Sequence, residues 1–310
     1  MRVFALPDFG TEPTLLDVPT PEPGPGEVLV RVHATSLNGF DLSVGASRLE
    51  GMMEHRFPVV LGKDFAGTVE AVGADADRFA PGDRVFGVVT KDFLGDGSFG
   101  EFVTVPTHVG IARLPDGVAF QVGGALGLVG ITARQAIDAL ELTAGQTVLI
   151  AGATGGVGSL AVQLAAQAGA RVIATAHGES EQQHVTGLGA SEVVDYTEDL
   201  AAQVRAAYPG GVDAALHFAG DGSALLGVVR DGGRLASTLI MSSEGLPSKS
   251  VTVKAIYAVP TPEALAGLAD AVASGHLTVP IQRTYAFVQV AEALRDFPMG
   301  TLGKLAITIQ

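Results

Sequence analysis

Along residues 146–176 the hydrophobic pattern changes three times. Positions 147–151 are all apolar or β-branched, which predicts a buried parallel strand. Gly152, Gly155, Gly156 and Gly158 crowd the next seven positions. Val157, Leu160, Ala161, Leu164 and Ala168 then recur at helical spacing, and Gly169 stands where a helix stop belongs. A second apolar run, 171–176, closes the unit. Strand, glycine turn, helix and strand make a dinucleotide-binding βαβ pattern. Its glycines allow a tight turn and close approach to a pyrophosphate, and the helix N-terminus supplies unpaired N–H donors. The loop residues Gly152, Thr154, Gly155, Gly156 and Val157 are therefore cofactor-binding candidates.

The flanking stretches have different periods. Residues 1–110 carry short β-rich runs such as VLVRVHATSL and DRVFGVVT, separated by Gly, Pro and Asp, which predict a mostly antiparallel β domain. A helix ending near Leu142 leads into the glycine unit. Strand–helix alternation then continues through SEVVDY, a helix over 200–207, VDAALHFAG, GRLAST and SVTVKAIYA, as in a doubly wound parallel sheet. A helix over 261–275 leads out, and QRTYAF, a short helix at 289–297 and LAITIQ return to the first domain. The expected organisation is α/β, with a β-rich domain at 1–121 completed by 261–310, and a parallel-sheet domain at 122–260. Phe218, Ala219 and Gly220 end a strand at the carboxyl edge of that sheet, where open α/β sheets bind ligands.

Composition narrows the chemistry. The 310 residues are 47% hydrophobic and 17% charged, as in a well-packed globular chain. The net charge of −14 argues against a nucleic-acid surface and leaves an anionic cofactor to local donors. With no cysteine there is no disulfide, thiolate metal site or cysteine nucleophile, and the seven histidines show no metal-ligand spacing. MRVFALPDFG lacks the pattern of a secretory signal, and no apolar run approaches the ~18 residues of a membrane span. A cytoplasmic protein is the expectation.

Two polar clusters stand out in the β-rich part. Asn38 followed by Asp41 reads as a helix N-cap with an acid in the first turn. Lys63 and Asp64 after Gly62 read as a solvated pair in a turn between strands.

ATSLNGFDL, FPVVLGKDFAGTVEAVG, FAPGDRVFG, GSFGEFVTVP, the glycine loop and GKLAITI together resemble the zinc-independent, quinone oxidoreductase-like branch of the medium-chain dehydrogenase/reductase family. The resemblance covers almost the whole chain. It implies a GroES-like catalytic domain and a Rossmann NADP-binding domain. Zinc-dependent members use a cysteine and a His-Glu pair where this chain has Asn38 and Lys63-Asp64, so no metal is expected. The resemblance places Asn38 near the nicotinamide ring and Lys63 facing the substrate cleft, where it can stabilise developing negative charge; Asn38, Lys63 and Asp41 are the catalytic candidates. Ser43 stands where the branch often has a tyrosine. The same resemblance puts the Thr132 hydroxyl beside the nicotinamide carboxamide, and Tyr196 at the cofactor phosphate.

NADPH is the expected cofactor, because Ala176 and His177 replace the acid that binds ribose hydroxyls in an NAD site. Gly97–Phe102 and Gly303-Lys304 resemble fold-supporting signatures of the family. Residues 251–258 alternate as an edge strand, which the family uses to pair two copies, so a homodimer is expected. The implied activity is hydride transfer to a quinone or an α,β-unsaturated carbonyl. The alternatives are an enoyl reductase working in trans in a biosynthetic pathway, and a non-catalytic NADPH-binding protein.

Overall fold

A computed structural model describes residues 1–309. The chain divides into two compact units, residues 1–131 with 259–310, and residues 132–258. The division falls inside one helix, Phe120–Leu140, rather than at the change of pattern near residue 121.

The first unit is built on the strand Glu27–Ser36, whose apolar positions are almost wholly buried. Asp64–Val72 pairs with it antiparallel on one side, and Arg84–Val88 and Ile111–Arg113 follow. On the other side Phe102–Pro106 pairs antiparallel with residues 27–31, and Lys304–Thr308, also antiparallel, with residues 34–36, Ala306 opposite Ser36 and Ile307 opposite Thr35. Ile281–Ala286 then runs parallel to Lys304–Thr308. The C-terminal segment thus enters the middle of the sheet. Phe4, Leu6, Val30, Leu37, Phe65, Phe99, Tyr285 and Ile307 form much of the core beneath it. The helix Gly39–Gly45 follows directly from the end of the first strand, which carries Asn38 and Asp41 to the sheet's edge of that turn.

The second unit is a six-stranded, all-parallel sheet. Its spatial order is Glu192–Val194, Arg171–Thr175, Thr147–Ala151, Val212–His217, Val229–Ser237 and Thr252–Ala255. The first three strands run outward one way from Thr147–Ala151 and the last three the other way. The switch point therefore lies between Thr147–Ala151 and Val212–His217, the place where such sheets take ligands. Helices Gly156–Gln167, Gly178–Gly187, Leu200–Ala207 and Gly222–Leu226 alternate with the strands. After Val229–Ser237 only a short 3-10 turn, Ser243–Gly245, intervenes before the edge strand. No helix among the described residues is long and apolar enough to cross a membrane.

Candidate functional site

In the first unit the polar side chains converge on Asp64. This residue opens the strand Asp64–Val72 and is fully buried, so it does not form the solvated pair with Lys63 expected from sequence. One carboxylate oxygen of Asp64 accepts from Ser36 Oγ at 2.9 Å and from Asn38 Nδ2 at 2.9 Å, with Lys304 Nζ at 3.3 Å. The other accepts the Leu128 backbone N–H at 2.6 Å. A buried carboxylate needs this much compensation, because desolvation penalises an unpaired charge heavily.

Asn38 takes the N-cap position of Gly39–Gly45, and Asp41 accepts its backbone N–H at 2.8 Å. Its own amide turns away from the helix, between Asp64 and Lys304, whose Nζ lies 2.6 Å from Asn38 Oδ1. Lys63 is half-buried, with its ammonium 5.2 Å from the Phe40 ring centroid. Burial lowers its pKa, while the charges of Asp41 and Asp64 pull it back up. Asn38, Asp41 and Lys63 are thus brought into one cluster, joined by Lys304, which the sequence marks as fold-supporting without placing it beside Asn38.

Asp41 carries an electrostatic consequence for stability. Full burial raises its carboxyl from 3.8 to about 7; the Asn38 N–H opposes the rise, and the Asp64 charge adds to it. The folded chain therefore keeps a proton up to about pH 7 that the unfolded chain releases near pH 4. Stability from this group is fully present below pH 4 and lost as pH rises to 7. Asp41→Asn removes that slope. Urea unfolding should show the variant gaining on wild type between pH 4 and pH 8, by on the order of 4 kcal/mol. A gap that does not change with pH would refute the buried proton.

In the second unit, the strand Thr147–Ala151 ends at Gly152, whose φ of +79° suits glycine. Gly155 caps Gly156–Gln167 with no side-chain cap bond, so the N–H groups of the first turn are not claimed by a capping side chain. A Cβ on Gly155 would find its nearest neighbour 3.8 Å away, whereas one on Gly158 would lie 2.1 Å from Gly152 O. The first glycine leaves room for a ligand and the second closes the turn. Thr154, Gly155, Gly156 and Val157 are all partly exposed. The Phe218 N–H donates to Ala151 O, and a Cβ on Gly152 would meet Ala219 at 3.0 Å, so the two strand ends form one cradle.

His217, which sequence reading passed over, ties that cradle down. Its ring lies 2.9 Å from Ser237 Oγ and 3.1 Å from Gly220 O. Thr132 lies buried in Phe120–Leu140. Ala176 is buried at the end of Arg171–Thr175, and His177 caps the next helix. The His177 ring is 2.9 Å from Asp195 Oδ2, which raises its pKa. Tyr196 is exposed and donates to Glu181 at 3.3 Å.

This pairing of a β-rich unit and a nucleotide-type unit matches known family models. Residues 24–116 match the alcohol dehydrogenase GroES-like domain, and residues 156–259 the zinc-binding dehydrogenase model. The chain belongs to the medium-chain dehydrogenase/reductase family. Among relatives of this dehydrogenase/reductase, the chloroplastic quinone-oxidoreductase QR1 of Triphysaria versicolor is 33% identical over 210 residues. That match covers 66% of this chain and 63% of the relative. The chain thus spans less than two thirds of the length of the curated relatives it first matches. The solved quinone oxidoreductase from Coxiella burnetii superposes with a TM-score of 0.90 at 28% identity, covering 100% of this chain and 99% of that one. A mycobacterial protein solved in complex with NADPH superposes with a TM-score of 0.85 at 28% identity, over 100% of both chains. The expected GroES-like and Rossmann-type folds are both present.

Proposed function

We propose that this chain is an NADPH-dependent, metal-independent oxidoreductase that passes hydride to a quinone or an α,β-unsaturated carbonyl. The observation that carries this reading is the make-up of the buried cluster in the first unit. It holds an amide, two carboxylates and lysines, with neither the thiolate nor the paired imidazole of a tetrahedral zinc site. These groups suit a carbonyl oxygen that gains negative charge: Asn38 can donate an N–H to it, and Lys63 can offset its charge. The glycine cradle fits the dinucleotide, with Gly152, Thr154, Gly155, Gly156 and Val157 holding the phosphates and Phe218, Ala219 and Gly220 lining the strand ends. Thr132 would meet the carboxamide. A bound dihydronicotinamide supplies the hydride. The relatives that are named quinone oxidoreductases support the acceptor class.

The test is NADPH oxidation by purified protein with a simple quinone and a simple enone, repeated after exhaustive chelation and elemental analysis. Turnover that survives chelation is expected. NADPH binding without turnover on either acceptor would favour a non-catalytic role, and zinc-dependent turnover would overturn metal independence.

The preference for NADPH rests on Ala176, where an acid is missing, and on His177. Asp195, itself held down to about 2 by Thr197 and then His177, keeps the imidazole protonated to higher pH than usual. A protonated His177 attracts a 2′-phosphate and a neutral one does not. The ratio of NADPH to NADH efficiency should therefore fall as pH rises through the His177 titration, and Ala176→Asp should move preference towards NADH. A ratio that stays flat from pH 5.5 to 8.5 would remove His177 from the site. The edge strand Thr252–Ala255 and the exposed Tyr257 beyond it support pairing of two copies through this sheet edge.

A further inference from the structure

Lys304 is 2% exposed, and its ammonium has three donors. It donates to Leu37 O at 2.7 Å and to Asn38 Oδ1 at 2.6 Å, and lies 3.3 Å from Asp64 Oδ2. All three donors are therefore used within the unit, and none is left for a ligand. Asp64 is equally engaged, through Ser36, Asn38, Lys304 and Leu128. These two residues decide which way the Asn38 amide faces. An ammonium can only donate, so it requires the amide oxygen; a carboxylate can only accept, so it requires the amide nitrogen. The flipped amide would set donor against donor and acceptor against acceptor.

With the amide fixed, one hydrogen on Asn38 Nδ2 is committed to Asp64, and the second has no partner among the described residues. Among these buried groups Asn38 is the most exposed. Asp64 and Ser36 are at 0%, Asp41 at 1%, Lys304 at 2% and Asn38 at 6%.

We infer that Lys304 is a positioning residue, which locks the Asn38 amide so that an N–H, and not a carbonyl oxygen, is presented to the acceptor's oxygen. This rests on the reading of Asn38 as a donor to the substrate. Without Lys304 the amide keeps only its bond to Asp64, and its oxygen is no longer held. An amide pinned at one end can swing, and the N–H it presents to the substrate carbonyl, where negative charge grows, is no longer aligned. The charge and the geometry both make this a substrate-class device: it favours ligands that bring an acceptor oxygen.

A double-mutant cycle on turnover tests it, using Lys304→Met, Asn38→Ala and the pair in the quinone assay, with NADPH dissociation constants measured alongside. Lys304→Met is expected to lower kcat about tenfold or more, within the ~10²-fold range of a lost oxyanion donor, while quinone KM and NADPH affinity stay within about twofold. In the Asn38→Ala background the same substitution should lower kcat no further. Losses that multiply in the double variant, or unchanged kcat in Lys304→Met, would overturn the positioning role. Full turnover by Asn38→Ala alone would overturn the reading of Asn38 itself and the inference with it, so the two failures are distinct. Should Lys304→Met not fold, the cycle is run with Lys304→Gln, which retains an uncharged donor. A smaller loss, again absent beside Asn38→Ala, is expected there; multiplying losses overturn the inference in that cycle too.

Discussion

Asn38→Ala is expected to lower turnover on a quinone or enone about 10²-fold, with NADPH affinity unchanged. The expectation follows from what the amide does in the cluster. Its nitrogen and oxygen are held at 2.9 and 2.6 Å by Asp64 and Lys304, so it needs no reorganisation when charge develops. A preorganised donor matters more in the transition state than in the bound substrate, so the loss should fall on kcat rather than KM. Lys63→Ala tests the complementary charge in the same assay and should produce a smaller loss, because the ammonium is half-exposed and partly screened. Steady-state kinetics with separately measured cofactor affinity decide the matter. If both variants turn over at the wild-type rate, the cluster is a helix cap and a buried ion pair, and the substrate is bound elsewhere.

The second large effect separates two glycines of one loop. A Cβ at Gly158 would lie 2.1 Å from Gly152 O and 2.6 Å from Ala153 Cα, both backbone atoms. Gly158→Ala must therefore push the loop and helix apart, destabilising the chain by about 1–3 kcal/mol and weakening NADPH together with it. Gly155 has φ near −71° and no neighbour closer than 3.8 Å, so Gly155→Ala fits the free protein. Its new methyl would instead stand on the phosphate side of the cradle. NADPH affinity should fall about tenfold or more, with the melting temperature unchanged. Calorimetric melting and fluorescence titration of both variants provide the check. Tight NADPH binding by Gly155→Ala would show that the phosphates do not approach this turn.

Much of this was readable because its signals are local. The glycine loop, the helix behind it and the parallel strands around it each declare themselves within about thirty residues through spacing alone. The same holds for Asn38 and Asp41, three residues apart on one turn. Asp64 and Lys304 were not readable in that way. A charged residue beside Lys63 reads as solvated, because it is rarely buried without a partner, and a fold-supporting reading of Lys304 names no partner for it. The partners here lie up to 267 residues apart and meet only because Lys304–Thr308 inserts beside Glu27–Ser36. Nothing in the periodicity of either strand states that pairing. His217 escaped for a similar reason: its two partners, Ser237 and Gly220, become neighbours only once the parallel strands are in register.

The placing of that last strand has a consequence for how the chain is made. Glu27–Ser36 and Asp64–Val72 leave the ribosome early, and on the far side Phe102–Pro106 soon covers residues 27–31, yet the neighbour of residues 34–36 there is Lys304–Thr308. Roughly 230 residues separate Val72 from Lys304, which at about 5–20 residues per second is roughly 10–50 s of synthesis. Throughout that interval residues 34–36 lack their partner on that side, and an open edge is a template for pairing with other chains. Asp64 and Asn38 meanwhile have no lysine. The parallel-sheet unit, contiguous over 132–258, is complete before the strand that finishes the older unit exists. The segment translated last therefore completes the sheet begun first.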